Sequence, residues 1–329
     1  MTDSPKVEKS NLPGVSLIIP FRDNQNELIA LCQELKRQTY PAEKMEVICI
    51  DNGSTKEFDY PEVFLKDVML LAEENYPNSP YSARNRGIES AKGEVLVFID
   101  ANSIPAKDWL RKGIQCLVES GSELAGGAVK FEFGDRPTAA KKVDALRSIN
   151  MKKAIEERGA AYTANLFVKK EVFDEIGLFE EGVRSGGDVR FTLKAKEAGF
   201  TIGYCSKAVV WKKARSVKNL YRKKIRTGRG YFYSWRKEKN RSLWFYNFFR
   251  SLKPPAFRQI NRQYSERYGE PLIDGKIATW FHYYASGIAE QAAFLTEYLR
   301  YNLGSQRDID RRKKLMEEKK LPDEKEGGG

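Results

Sequence analysis

The sequence predicts an α/β fold: a mostly parallel sheet flanked by helices, followed by a basic, aromatic-rich helical extension. Short apolar runs alternate with segments of helical periodicity through the first half. Those runs are apolar on both faces, as strands covered by helices on either side must be. No run of about 18 uncharged apolar residues interrupts the pattern, so no transmembrane helix is expected. Val15–Pro20 is a short buried strand closed by proline, and Leu28, Leu31, Cys32 and Leu35 recur at helical spacing until Gln38-Thr-Tyr-Pro41 stops them. Val47–Ile50 is a second strand entering the turn Asp51-Asn-Gly-Ser54, and Val68–Leu71 a third. Ser82–Ala91 predicts a helix, and Val95–Ile99 is the fourth and most apolar strand. Beyond it come a helix over Trp109–Val118, a strand or strand pair over Leu124–Phe133 and a strand over Tyr162–Val168. A helix opened by Gly186-Gly187-Asp188 and a strand over Thr201–Tyr204 follow. In parallel sheets, ligands bind beyond the carboxyl ends of the strands. The polar residues waiting there are Arg22-Asp23, Asp51-Asn52 and Asp100-Ala-Asn102.

Composition excludes several classes. The chain is 41% hydrophobic, with 18 Phe and 16 Tyr, which is enough for a packed core and against wholesale disorder. Its four cysteines are far apart and without CxxC spacing, so a zinc ribbon or dense disulfide framework is not expected, and a reducing compartment is the simpler reading. The single histidine, His282, rules out any chemistry needing two imidazoles. Met1–Asn11 carries no apolar stretch of the signal-peptide kind.

The net charge of +12 is concentrated. Residues 207–262 hold 18 Lys and Arg against the single acid Glu238, a local +17, which leaves −5 for the rest. The same segment carries 12 aromatic residues. Ser216–Gly230 predicts a basic amphipathic helix, and Trp244-Phe-Tyr-Asn-Phe-Phe249 supplies the aromatic content of a membrane interface. Each Lys or Arg near an anionic leaflet contributes about 1 kcal/mol, so a fraction of this charge suffices for peripheral attachment. An anionic membrane surface is therefore the favoured partner of the segment. Nucleic acid is the weaker reading, since no nucleic-acid motif accompanies the charge. A long helix over Thr279–Leu303 has charges inside it and reads as packed rather than membrane-spanning.

Six short motifs stand in a fixed order: Val15-Ser-Leu-Ile-Ile-Pro20, Gln38-Thr-Tyr-Pro41, Ile50-Asp-Asn-Gly-Ser-Thr55, Ala83-Arg-Asn-Arg-Gly87, Gly93-Glu94 with Val97-Phe-Ile-Asp100, and Gly187-Asp188. In these the chain resembles the family 2 glycosyltransferases of the GT-A (Rossmann-like) fold, over about residues 13–230. The resemblance implies an inverting enzyme that moves a sugar from a nucleoside-diphosphate-sugar, a UDP-sugar being favoured, to a glycan or lipid-linked acceptor. It implies a place in envelope or extracellular polysaccharide synthesis, at the cytoplasmic face of the membrane. The donor would be held by Pro20, Arg22, Asp51, Asn52, Gly53, Arg84, Asp100 and Lys212. Asp188 would be the base that takes the acceptor proton. Asp100 and Asn102 would hold a divalent cation, Mn²⁺ or Mg²⁺.

Three positions depart from the family pattern. Asn102 stands where the family has a second aspartate, Gly187 replaces the acid before Asp188, and Trp211-Lys212-Lys213 occupies the place of a metal-binding histidine. Fewer metal ligands and more fixed positive charge point to weakened or dispensable metal dependence, with Lys212, Lys213 or Arg215 neutralising the leaving diphosphate. The same departures also fit a nucleotide- or glycan-binding descendant without activity. The expected organisation is a flexible 1–12, a catalytic domain over 13–215, a helical basic region over 216–306 and a disordered tail over 307–329.

Overall fold

The computed structural model describes residues 12–61, 68–135, 137–235, 248–249 and 252–303. The flexible N-terminus and charged tail expected from the sequence, and most of the Trp244–Phe249 run, lie outside them. Among the described residues the sheet has eight strands in the order β3-β2-β1-β4-β7-β6-β8-β5. β1 (Val15–Phe21), β2 (Met45–Asp51), β3 (Met69–Ala72) and β4 (Val95–Ile99) are mutually parallel, so their carboxyl ends share one edge. β7 (Asn165–Lys169) inserts antiparallel between β4 and β6 (Leu124–Glu132). β8 (Ile202–Lys213) then runs parallel to β6 and carries β5 (Ser103–Pro105) antiparallel on its outer side. Two reversals restore the original direction, so β8 also ends at the edge where β1, β2 and β4 end. The sheet is thus parallel in its first half and mixed in its second.

β4 explains the centre of the core. All five of its residues are buried, because β1 and β7 flank it and helices cover both faces. Those helices are α1 (Gln25–Lys36), α2 (Pro80–Ser90), α3 (Trp109–Ser120), α6 (Lys170–Ile176) and α7 (Gly187–Glu197). α2 lies so close to the sheet that a Cβ on Gly87 would come within 2.7 Å of Ile18 Cγ2. At the shift of register between Gly127 and Ala128, Asn165 repairs the ladder. Its carboxamide donates to Ala128 O and Ala208 O, both at 2.9 Å, and accepts from Trp109 Nε1 at 2.8 Å. No polar atom of that buried side chain is left over.

Several elements differ from the sequence reading. The strand expected over Tyr162–Val168 begins at Asn165, leaving Thr163 in a turn. The strand expected to end at Tyr204 runs on to Lys213, so Trp211-Lys212-Lys213 lies within it. α4 (Ala139–Arg147), α5 (Met151–Arg158) and α6 were not anticipated, whereas α9 (Phe257–Tyr268) falls in the helical region expected over 216–306. Cys116 of α3 and Cys205 of β8 form a disulfide across 89 residues, a contact made by tertiary packing that spacing does not announce. The cysteines therefore lend no support to a reducing compartment.

The C-terminal region packs α8 (Val217–Trp235) against α10 (Lys276–Leu303), with α4 beneath them. Buried ion pairs fix the three helices: Glu290 Oε2 accepts from Lys224 Nζ at 3.3 Å and from Arg147 Nη2 at 3.1 Å. Asp144, fully buried, accepts from the Arg215 backbone N–H at 3.0 Å and from Ser148 Oγ at 2.9 Å. Lys223 Nζ approaches the same carboxylate at 3.7 Å. His282 is structural here, its Nδ1 lying 3.2 Å from Tyr221 Oη.

Burial and the neighbouring Arg215 pull the Lys223 ammonium down to about 7, outweighing the pull of Asp144 in the other direction, and Lys224 and Lys212 add to the repulsion. In the unfolded chain the same group titrates near 10.5. The folded state therefore gives up this proton first, and the penalty of the buried charge is fully present below pH 7 and fades as pH rises toward 10.5. Lys223→Met is expected to raise the melting temperature more at pH 6 than at pH 9, measured as variant minus wild type by thermal melts. An equal gain at both values would mean that Lys223 is not the titrating group.

Candidate active site

Two clusters form along the carboxyl edge of the sheet, and α2 joins them to the loop before α7. The first gathers the ends of β1 and β2. Asp51 accepts the Ser54 backbone N–H at 2.8 Å, which closes the Asp-Asn-Gly-Ser turn. Gly53 has φ of 75°, and a Cβ there would lie 2.8 Å from Pro77, so glycine is required twice over. Asn52 is buried, its N–H donates to Phe21 O at 2.8 Å, and its Oδ1 has no hydrogen-bond partner. Pro20 and Arg22 are half-buried at the end of β1, and Arg22 Nε stands 3.6 Å from Asp23 Oδ2. A cleft of about 510 Å³ opens beside Asp51, lined also by Gln25, Ser54, Thr55, Phe58 and Tyr60. Phe58 and Tyr60 meet edge to face with centroids 5.1 Å apart. Sequence reading missed both rings, which lie in an irregular stretch with no periodicity to mark them.

The second cluster centres on Asp100, where β4 ends. Asp100 Oδ1 accepts from Arg84 Nη2 at 3.0 Å, and Oδ2 accepts from Lys212 Nζ at 2.9 Å. The same ammonium donates to Asn102 Oδ1 at 2.7 Å. The antiparallel pairing of β5 with β8 places Lys212 opposite Ser103, next to Asn102 in sequence. Burial alone would raise the Asp100 carboxyl, but Lys212 and Arg84 outweigh it and hold it down at about 2. Arg84 is only 3% exposed and its Nη1 also donates to Pro80 O. Arg84, expected to touch the nucleotide, orients Asp100 in this structure.

Asp188 lies in the first turn of α7, buried, and is held by four donors. Oδ1 accepts from Tyr81 Oη and from the Val189 N–H, each at 2.9 Å. Oδ2 accepts from the Thr163 N–H at 3.3 Å and Thr163 Oγ1 at 3.4 Å, contacts long enough to leave this oxygen the weaker bound. Burial and the adjacent Asp188 push the Tyr81 hydroxyl up, so it remains a donor. Gly187 gives that ring its place: a Cβ there would lie 2.8 Å from it.

α2 serves both carboxylates, Arg84 reaching Asp100 and Tyr81 reaching Asp188. Asn85 and Ser82 of α2 and its N-cap Ser79 tie down the segment leading into α7. Asn85 exchanges hydrogen bonds with Phe179 O and N at 2.9 and 3.1 Å, Ser82 Oγ accepts from Gly182 N at 2.9 Å, and Ser79 Oγ donates to Val183 O at 2.8 Å. Within the Ala83-Arg-Asn-Arg-Gly87 motif Arg84 thus orients Asp100 and Asn85 anchors the segment before α7, while Tyr81, just ahead of the motif, reaches Asp188. Tyr81 and Thr163 went unread because each meets its partner only through the tertiary fold.

This sheet order, with acidic groups collected beyond the strand ends, is that of a GT-A glycosyltransferase. Residues 16–177 match the profile Glycosyl transferase family 2. Glycosyltransferase AglE of Haloferax volcanii is 34% identical over 229 residues, covering 69% of this chain and 75% of its own. Poly(ribitol-phosphate) beta-glucosyltransferase of Bacillus spizizenii is 30% identical over 121 residues, 35% of this chain and 19% of that one. The fold is also that of mannosyltransferase PcManGT from Pyrobaculum calidifontis, solved with GDP-Man and Mn²⁺, at a TM-score of 0.58, 18% identity and 92% coverage of both chains. The chain belongs to the family 2 glycosyltransferases and is an enzyme of that class.

Mn²⁺ in the mannosyltransferase poses the question of fit here. A hard divalent cation needs a set of oxygen donors at about 2.0–2.6 Å. The two side-chain oxygens available, Asp100 Oδ2 and Asn102 Oδ1, both accept from the Lys212 ammonium. Among the described residues no group of three or more His, Cys, Asp or Glu side chains gathers in metal-binding geometry. The donor set does not fit a divalent cation.

Proposed function

We propose that the protein is an inverting transferase that passes a sugar from a nucleoside-diphosphate-sugar to a hydroxyl of a glycan or lipid-linked glycan acceptor. The observation that carries this reading is the tie through α2 between a carboxylate, Asp188, and a cationic cluster, Lys212 and Arg84 around Asp100. In one in-line displacement the acceptor oxygen bonds to the anomeric carbon as the bond to the β-phosphate oxygen breaks. Asp188 Oδ2 takes the acceptor proton, and the leaving electron pair settles on the diphosphate against the cations. The nucleoside occupies the cleft beside Asp51, its base against Phe58 and Tyr60 and its ribose hydroxyls within reach of Asp51. A polymeric acceptor is consistent with the relative named for glucosyl transfer to poly(ribitol-phosphate). Incubation with UDP-, GDP- and dTDP-sugars and glycan or polyprenyl-linked acceptors tests the reaction, with NMR of the product anomer. A β product from an α donor, or the converse, is expected, whereas retained configuration would refute the single displacement.

The membrane reading rests on the far side of the C-terminal region. Ile273, Ile277 and Phe281 are 68%, 86% and 57% exposed, and Phe249 is 63% exposed. Leu252 O accepts from Tyr284 Oη at 2.7 Å, which brings the end of the basic segment alongside this face of α10. No helix among the described residues is long and apolar enough to cross a membrane. Apolar side chains beside basic ones suit shallow insertion into an anionic leaflet. Ile277→Glu with Phe281→Glu is expected to lower cosedimentation with phosphatidylglycerol vesicles at least about tenfold, and to spare transfer to a soluble acceptor. Unchanged sedimentation would remove this face from the proposal.

A further inference from the structure

We infer that Lys212 is a built-in cation standing where a divalent metal would otherwise bind, so that sugar transfer here proceeds without metal. The inference rests on the transfer reaction proposed above. Its geometric basis is the two oxygens at the end of β4. Lys212 Nζ lies 2.9 Å from Asp100 Oδ2 and 2.7 Å from Asn102 Oδ1, so one ammonium joins the pair that would otherwise ligate the metal. Two of its three N–H groups are used in this way, and the third remains for a phosphate oxygen.

The position is built rather than borrowed from a mobile surface lysine. Lys212 is 5% exposed, near the end of β8, and its Cα is paired with Ser103 on one side and Phe131 on the other. Arg84 holds the other oxygen of Asp100 at 3.0 Å, which keeps the carboxylate turned toward the ammonium. Asn102 completes the logic. An aspartate there would leave an extra negative charge against the diphosphate, which a divalent metal could balance and a single ammonium could not.

Charge beyond the pair points the same way. Arg215 stands over Asp144, its backbone N–H donating at 3.0 Å, and contributes to the potential felt at Asp100. Arg226 lies within electrostatic reach of Asp100, Tyr81, Arg184 and Arg215. Neither Arg184 nor Arg226 has a carboxylate partner among the described residues. Around the carboxylates Asp100 and Asp144 stand Arg84, Lys212, Arg215 and Lys223, with Arg226 within electrostatic reach of Asp100, so positive charge is in excess beside the place where the reaction proposed above puts the diphosphate.

When the anomeric carbon–oxygen bond breaks, the electron pair passes to the β-phosphate oxygen and no proton need be delivered there. The ammonium and the neighbouring guanidinium groups are preorganised toward that oxygen, the condition under which electrostatic stabilisation is most effective.

Two measurements test this. The first is calorimetric binding of UDP and of GDP to the full chain in EDTA and in Mn²⁺, for wild type and Lys212→Met. The expected result is that wild type binds at least one nucleotide with an affinity that changes less than threefold between EDTA and Mn²⁺, and that Lys212→Met weakens binding in EDTA at least tenfold. The second is transfer under the same two conditions for wild type, Lys212→Met and the double variant Asn102→Asp/Lys212→His. Wild-type rates are expected to be equal in both, Lys212→Met to lose about 100-fold, and the double variant to work only with Mn²⁺. Wild-type binding and turnover that vanish in EDTA and return with Mn²⁺ would overturn the inference and leave the transfer reaction standing. Metal-free, Lys212-dependent nucleotide binding with no turnover of any donor would instead overturn the transfer reaction and uphold the cation.

Discussion

Asp188→Asn is expected to lower kcat about 1000-fold while the affinity for nucleoside diphosphate stays within about twofold. The separation of the two effects follows from the position of the residue. Asp188 makes no direct contact with Lys212 or Asp100 among the described residues, so its replacement should leave them and the cleft beside Asp51 in place. The substitution is also structurally mild. An asparagine can keep one oxygen toward Tyr81 Oη and the Val189 N–H, each 2.9 Å away in the wild type. What it cannot do is accept a proton. Its amide nitrogen would instead donate to the Thr163 hydroxyl, which can turn to accept, and give up only the long 3.3 Å bond from the Thr163 N–H. A variant that folds, binds nucleotide and turns over at the wild-type rate would mean that the four donors around this carboxylate hold a structural corner and that the base is elsewhere. Thr163→Val is a useful companion. It removes a weak contact and should change kcat by less than about tenfold, distinguishing fine positioning from proton transfer.

The parts of this molecule that were legible in the sequence are those with local causes. β1, β2 and β4 are short apolar runs between turn signals, and each came within a residue or two of its observed limits because burial on both faces leaves a continuous apolar signature. Asp100 and Asp188 were marked by motif order, Asn102 and Lys212 by departure from the family pattern, and the structure brings Asp100, Asn102 and Lys212 into direct contact. β8 was cut short because exposed Ser206 and Lys207 interrupt its apolar alternation, although the backbone continues as strand. α4 and α5 are short and charged, with too few apolar positions to reveal a period. The contact of Arg84 with Asp100, 16 residues apart in sequence and 3.0 Å in space, has no local trace. Tyr81 stands 107 residues from Asp188 and could be found only by folding the chain. Asn102 and Gly187 both read as losses from a family pattern. In the structure each has a local partner: Asn102 accepts from Lys212, and Gly187 makes room for Tyr81.

That last relation predicts that restoring the family's acid will inactivate this enzyme. Gly187→Glu is expected to lower kcat about 1000-fold without unfolding the chain. Helix propensity alone would favour nearly any residue over glycine in the first turn of α7, by up to about 1 kcal/mol against alanine. Packing opposes it, because a Cβ at 187 would sit 2.8 Å from the Tyr81 ring, closer than such atoms approach. Either the ring turns away and its hydroxyl leaves Asp188, or the first turn of α7 shifts and takes the carboxylate with it. Either displacement, of about 1 Å at a reacting group, costs roughly 100-fold, and the new carboxylate's charge beside Asp188 adds about tenfold more, near 1000-fold in all. Gly187→Ala carries the steric part of the penalty without the added charge and should lose about 100-fold. The pair with Tyr81 makes the cause measurable. Tyr81→Ala removes both the ring that collides and the hydroxyl that positions, so Gly187→Ala made on that background should cost less than about threefold further. Full additivity of the two substitutions would show that Gly187 acts through the backbone of α7 alone, and that the space beside Tyr81 is incidental to catalysis.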